Sequence, residues 1–157
     1  MLPLLLLTLL PTLTLSAPTT PALTPRTTPS ACTLAVRAGI TWTATALHVP
    51  PFGAPTVDFT LTNSAVNYTH TCSGMAHFQT PFDGVHRFEC YGSGGKGSAS
   101  FAYDYEDRTA GKLLVRQEFE CDDGEAGRPY YVAEGTAVVT VELADVEIVL
   151  ESIRGVL

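Results

Sequence analysis

The eight residues Thr56–Asn63 read Thr-Val-Asp-Phe-Thr-Leu-Thr-Asn. Val57, Phe59 and Leu61 point one way; Thr56, Asp58, Thr60 and Thr62 point the other. A strict period of two marks a strand with one face on a core and one in water. Threonine, β-branched and polar, suits the wet face. The same pattern spreads outward in both directions. Residues 40–49 place Ile40, Trp42, Ala44, Ala46 and His48 on one face. Residues 67–72 and 86–90 read as short strands. Residues 99–105 put Phe101, Tyr103 and Tyr105 together. Leu113, Val115 and Gln117 alternate with Leu114, Arg116 and Glu118, in a run that continues to Cys121. Residues 130–143 read as two strands or one long bent strand, with Gly135 at a bulge or bend. The apolar run 148–153 fits a strand or a short helix.

Turn signals separate these runs: Pro50-Pro51-Phe52-Gly53, Pro81-Phe82-Asp83-Gly84, residues 92–97, and Asp122-Asp123-Gly124-Glu125. Seven to nine short strands, without a helical period or an internal repeat, predict an all-β protein. The expected architecture is a single small antiparallel β-barrel or sandwich.

The chain has 157 residues, enough for one domain. Lys and Arg number 9 against 16 Asp and Glu, for a net charge of −7. A nucleic-acid partner is therefore not expected, since binding one needs a basic footprint. Residues 1–16, MLPLLLLTLLPTLTLS, carry no charged side chain, and seven of the first ten are Leu. The run is too short to span a bilayer and suits a secretory signal peptide. No membrane attachment is expected after its removal. Residues 17–31 hold five Thr and four Pro, a disordered lead-in able to carry O-linked sugar. The folded domain is expected over 32–157, in a secreted, extracellular protein of the medium or cell wall.

Four cysteines, Cys32, Cys72, Cys90 and Cys121, imply two disulfides in an oxidising compartment, with three connectivities open. Cys72 and Cys90 each end a strand-like run, so their pairing is the first choice. Cys32–Cys121 follows by elimination and would close a long loop. His70, Cys72, His77, His86 and Cys90 lie close in sequence, but no C-x-x-C or H-x-x-x-H spacing supports zinc. No metal and no cofactor is expected.

Residues 92–97 match G-x-G-x-x-G, but a dinucleotide site needs a helix to follow, and residues 98–101 read as strand. A hairpin loop is the expectation. Thirteen of the sixteen acidic residues lie after Ser100. Paired carboxylates such as Asp104 or Glu106 with Glu118 or Glu120 would suit a glycoside hydrolase, yet a solvated strand face is the better account. The four His residues sit in Thr-rich or loop contexts, ordinary for surface positions. No G-x-S-x-G elbow is present, and no catalytic residue is assigned. Asn67-Tyr68-Thr69 is an N-glycosylation sequon and marks an exposed side.

Taken together, Cys32 ten residues before Trp42, the strand 57–63, the pair Cys72 and Cys90 with Arg87-Phe88-Glu89-Cys90-Tyr91, Ser100-Phe101-Ala102-Tyr103, residues 111–117 and Tyr130-Tyr131-Val132-Ala133-Glu134-Gly135-Thr136-Ala137 form a recognisable layout. Over residues 32–143 it resembles the fungal family typified by the Alternaria major allergen, the AA1-like domain, which includes hypersensitive-response elicitors. The resemblance implies a small β-barrel secreted by a filamentous ascomycete. It also implies an allergen-like effector that binds a plant defence protein of the thaumatin-like class or a small phenolic ligand, as monomer or homodimer. No enzymatic activity is tied to that fold. The chain departs from the family in lacking a cysteine near Val132 or Ala133, and residues 145–157 extend past the resemblance with no role implied. The leading expectation is a non-enzymatic binding protein acting through a β surface. The alternatives are a carboxylate-dependent hydrolase and a glycosylated structural wall protein.

Overall fold

The computed structural model describes residues 31–49, 56–79, 81–92, 97–105, 110–121, 128–140 and 144–156. The expected signal peptide, most of the lead-in, residues 93–96, Glu106 and the acidic turn at 122–125 lie outside them.

Eight antiparallel strands form a closed barrel in which each strand pairs with its neighbour in sequence and the last pairs with the first. They are β1 (Trp42–His48), β2 (Thr56–Asn63), β3 (Thr69–Met75), β4 (Phe88–Gly92), β5 (Gly97–Tyr105), β6 (Ala110–Glu120), β7 (Tyr130–Thr140) and β8 (Val146–Val156). Closure removes the sheet edges, which would otherwise present unpaired N–H and C=O groups. The interior is packed. Trp42, Val57, Leu61, Phe101, Leu113, Phe119 and Val139 are among its buried side chains. Phe59 and Phe88 flank Phe101 with ring centroids 5.1 and 5.3 Å away.

β2 and β6 carry the predicted alternation without a fault. β1 does not. Thr45 pairs with Thr60 and His48 with Asp58, so two residues of β1 oppose one of β2. That is a β-bulge. Ala46 takes a positive φ of 52° there and donates its N–H to Asp145 Oδ1 at 3.1 Å. The strand changes phase, so Leu47 turns inward while Ala46 and His48 are exposed, against the expected face. Tyr105, at the end of β5, is partly exposed but keeps an edge-on contact with Tyr103, ring centroids 6.3 Å apart.

The bend expected at Gly135 is a second bulge, carried by β8. Glu134 pairs with Ser152 and Gly135 with Leu150, leaving Glu151 as the extra residue. A Cβ at Gly135 would lie 2.8 Å from the carbonyl oxygen of Val149, so only glycine allows that approach. The run 148–153 is thus strand, and the tail beyond residue 143 closes the barrel through Trp42↔Ile148 and Ala44↔Val146.

One helix was not foreseen: α1, Ala31–Ala38. It buries Thr33 and packs Cys32 and Val36 against the core. Its tether is the Cys32–Cys121 disulfide, and Cys121 follows directly on β6. The second disulfide, Cys72–Cys90, joins directly paired residues of β3 and β4. At the other end of the barrel Phe82, from the β3–β4 connection, sits edge-on to Phe88 and Tyr103. Asp83 holds that connection by accepting the N–H groups of Val85 and His86, both at 2.9 Å. These backbone donors, with the His86 ring, lower its carboxyl pKa to about 2.

Candidate functional site

The interior holds polar groups that serve packing. Asn63 Nδ2 donates to Gln117 Oε1 across the barrel at 2.8 Å, and Asn63 Oδ1 accepts the N–H of Ala65 at 2.8 Å. His70 corrects the expectation of a surface histidine: it is fully buried. Its ring fills the space beside Gly92, where an added Cβ would lie 2.6 Å from Nδ1. Tyr68 meets it edge-on at 5.4 Å. Neither ring nitrogen has a hydrogen-bond partner among the described residues, nor does Trp42 Nε1. Burial lowers the His70 pKa. A phase signal was available: His70 lies two residues from Cys72 on the same strand and so shares its buried face.

A histidine whose folded pKa lies below its unfolded value of about 6.5 stabilises the fold fully above that pH. The contribution declines as pH falls from there towards the folded pKa. We therefore expect the melting temperature to fall between pH 7 and pH 4.5, before carboxylate titration dominates. His70→Leu, which removes the unpartnered nitrogens, should flatten that part of the profile and stay within about 1 kcal/mol of the natural protein at pH 7. A variant with an unchanged acid slope would show that His70 is not its source.

The outer wall is where polar groups converge. On the outer side of β5 stand only small residues, Ser98, Ser100 and Ala102, before Asp104; Ser100 and Ala102 are themselves buried between the longer side chains of β4 and β6. Glu89 pairs with Ser100 and Ser100 with Arg116; Ser98 pairs with Glu118. The result is a trough of about 230 Å³ lined by Arg87, Glu89, Ser98, Ser100, Arg116 and Glu118. A second cleft of about 460 Å³ adjoins it, reaching from Arg116 past Val132 to Arg154 and Val156.

Arg116 stands where the two meet. Its guanidinium lies 2.8 Å from Glu118 Oε1 and 3.9 Å from Glu134 Oε1. Glu118 also accepts a hydrogen bond from the Tyr130 hydroxyl. That bond and the one from Arg116 hold the Glu118 carboxyl below its usual range; the same contact pushes Tyr130 up to about 12. Tyr68 is also raised to about 12, by burial and then by the nearby Glu120 charge. Arg87 and Arg154 make no ion pair with a carboxylate among the described residues.

The carboxylates considered for hydrolysis fall in different places. Asp104 faces Lys112, while Glu118 faces Ser98, six residues away along β5. At strand rise that is about 20 Å, wider than either glycosidase geometry. Glu118 and Glu120 do share the outer face of β6, but Glu118 is engaged by Arg116 and Tyr130. Glu106 lies outside the described residues. Cys72 and Cys90 are bonded to each other, so neither is a thiolate ligand beside His70, His77 or His86. Asn67 is exposed in the β2–β3 turn.

Sequence reading missed the trough. Arg116 and Glu118 were legible as outward residues of β6, and Ser98 and Ser100 alternate with buried Ala99 and Phe101. Nothing local says that β4 and β6 flank them.

Fold and site define a disulfide-stapled, eight-stranded antiparallel barrel with a filled interior and a charged, serine-floored trough on its outer wall. Compared with known proteins, the chain matches no family model, no curated sequence and no solved structure.

Proposed function

We propose that this is a secreted, non-enzymatic binding protein that engages a host extracellular protein or a small ligand through the outer face of β4–β8. The observation that carries the reading is the Arg116 trough. The barrel interior is filled by side chains, so recognition falls to the wall. There Arg87 and Arg154 present donors with no carboxylate partner among the described residues, while Ser98 and Ser100 leave a depression between charged walls. Arginine in such a setting is suited to carboxylate, phosphate or planar polar groups. Two disulfides are consistent with an extracellular setting. The likeness to the Alternaria-allergen type of elicitor supports a fungal effector acting in the plant apoplast.

The test is capture from plant apoplastic fluid, and titration with a small-ligand panel, on immobilised protein. Arg87→Ala with Arg154→Ala leaves the Glu118–Arg116–Glu134 contacts in place. We expect this pair to weaken capture by about tenfold or more, the loss of one or two charge-assisted contacts. Capture unchanged by both substitutions would move the site elsewhere. No capture by the natural protein would count against the function itself.

A further inference from the structure

We infer that Asn67 is an N-linked glycosylation site whose glycan projects from the β2–β3 end of the barrel. The sequence contains two asparagines, Asn63 and Asn67, four residues apart. The fold treats them in opposite ways. Asn63 is 3% exposed, and both ends of its amide are occupied, by Gln117 Oε1 and by the N–H of Ala65. Asn67 is exposed, and its side chain makes no hydrogen bond among the described residues. Only Asn67 is followed by hydroxyl at the second position, in Asn67-Tyr68-Thr69.

The turn is built without Asn67. Val66 N–H bonds to the Asn63 carbonyl at 3.2 Å, and Ser64 bonds to Thr41 through both its N–H and its hydroxyl. A bulky addition at Asn67 therefore disturbs neither the turn nor the core. In the transfer, Nδ2 of Asn67 attacks C1 of a lipid-pyrophosphate-linked oligosaccharide. A C–N bond forms, the C–O bond to pyrophosphate breaks, the lipid pyrophosphate leaves and the amide gives up one proton. Two disulfides are consistent with passage through the oxidising compartment where such donors occur.

Position gives the glycan a consequence. Asn67 lies in the β2–β3 turn at one end of the barrel, beside Tyr68, whose hydroxyl approaches Gly97 and the Glu120 charge. The sugar would shield the adjoining end of the barrel, with the threonine row Thr43–Thr62–Thr69.

The experiment is secretion of the full chain, residues 1–16 included, from a eukaryotic host. Intact mass and peptide maps are read before and after an amidase specific for Asn-linked glycans. We expect the mass to drop by a whole glycan and residue 67 to read as Asp afterwards. O-linked sugar in residues 17–30 resists that enzyme. Thr69→Ala should abolish the drop and Thr69→Ser should keep it. Secreted protein whose residue-67 peptide is unmodified would overturn the inference, and that map on the natural chain decides the matter even if Thr69→Ala is not secreted.

Discussion

A chain ended at Ala144 is expected not to fold. Although the last thirteen residues lie beyond the family resemblance, β8 pairs with β7 and with β1. Removing it opens the barrel and creates two edges. It strips Val146 and Ile148 from the core, each worth about 1.5–3 kcal/mol of burial. It also uncovers Trp42, Ala137 and Val139 beside them. The sum is of the order of the whole stability of a domain, about 5–15 kcal/mol. Near-ultraviolet circular dichroism, dominated by Trp42 as the one tryptophan, should lose its fine structure, and proteolysis should become rapid. Because a truncated chain can fail for other reasons, Ile148→Ala gives a graded version, with an expected loss of about 2–5 kcal/mol. A truncated chain that still melts cooperatively, or an Ile148→Ala loss under 1 kcal/mol, would mean that β8 does not close the barrel.

Replacing both Cys32 and Cys121 with Ser is expected to lower stability by about 4–5 kcal/mol. The bond joins residues separated by 89 positions, and the loop-closure model gives that figure for a loop of such length. For a domain of this size the melting temperature should fall on the order of 15 °C. The loss should also be local. α1 buries only Thr33 fully and packs two half-buried side chains on the core, too little to hold eight helical residues against their ordering entropy. Cleavage at Arg37, within α1, should therefore become fast in the double variant while the strands stay protected. A melting temperature within a few degrees of the natural protein, with Arg37 still protected, would show that the helix docks without its tether. Cys72 and Cys90 close a loop of 18 residues, for which the same model gives about 3 kcal/mol.

Strands and most of their inward residues were readable from the sequence because each rests on a local rule; Cys72–Cys90 was suggested by strand-like runs and Cys32–Cys121 only by elimination. Period two names the buried face of β2 and β6, while Cys72 and Cys90, read as strand ends, lie inside β3 and β4 and pair directly across them. Where a bulge intervenes, local phase misleads: at Ala46 one extra residue turns His48 outward and Leu47 inward. α1 was missed because eight residues carry little periodicity and the helix depends on a partner 89 positions away. The burial of His70 was within reach, through its phase with Cys72, but Thr69 and Thr71 on either side made the segment look wet.

Local patterns carried the class: alternating strands, four cysteines for two disulfides, and a sequon on an exposed turn. Long-range pairing alone settles that the sheet closes, that the tail is its last strand, and that Ser98 and Ser100 lie between Arg87 and Arg116. Alternation is a property of one strand and its solvent, whereas closure and trough depend on register between segments far apart in the chain. No local pattern carries that register; it is settled when bulges, disulfides and packing satisfy all eight pairings at once.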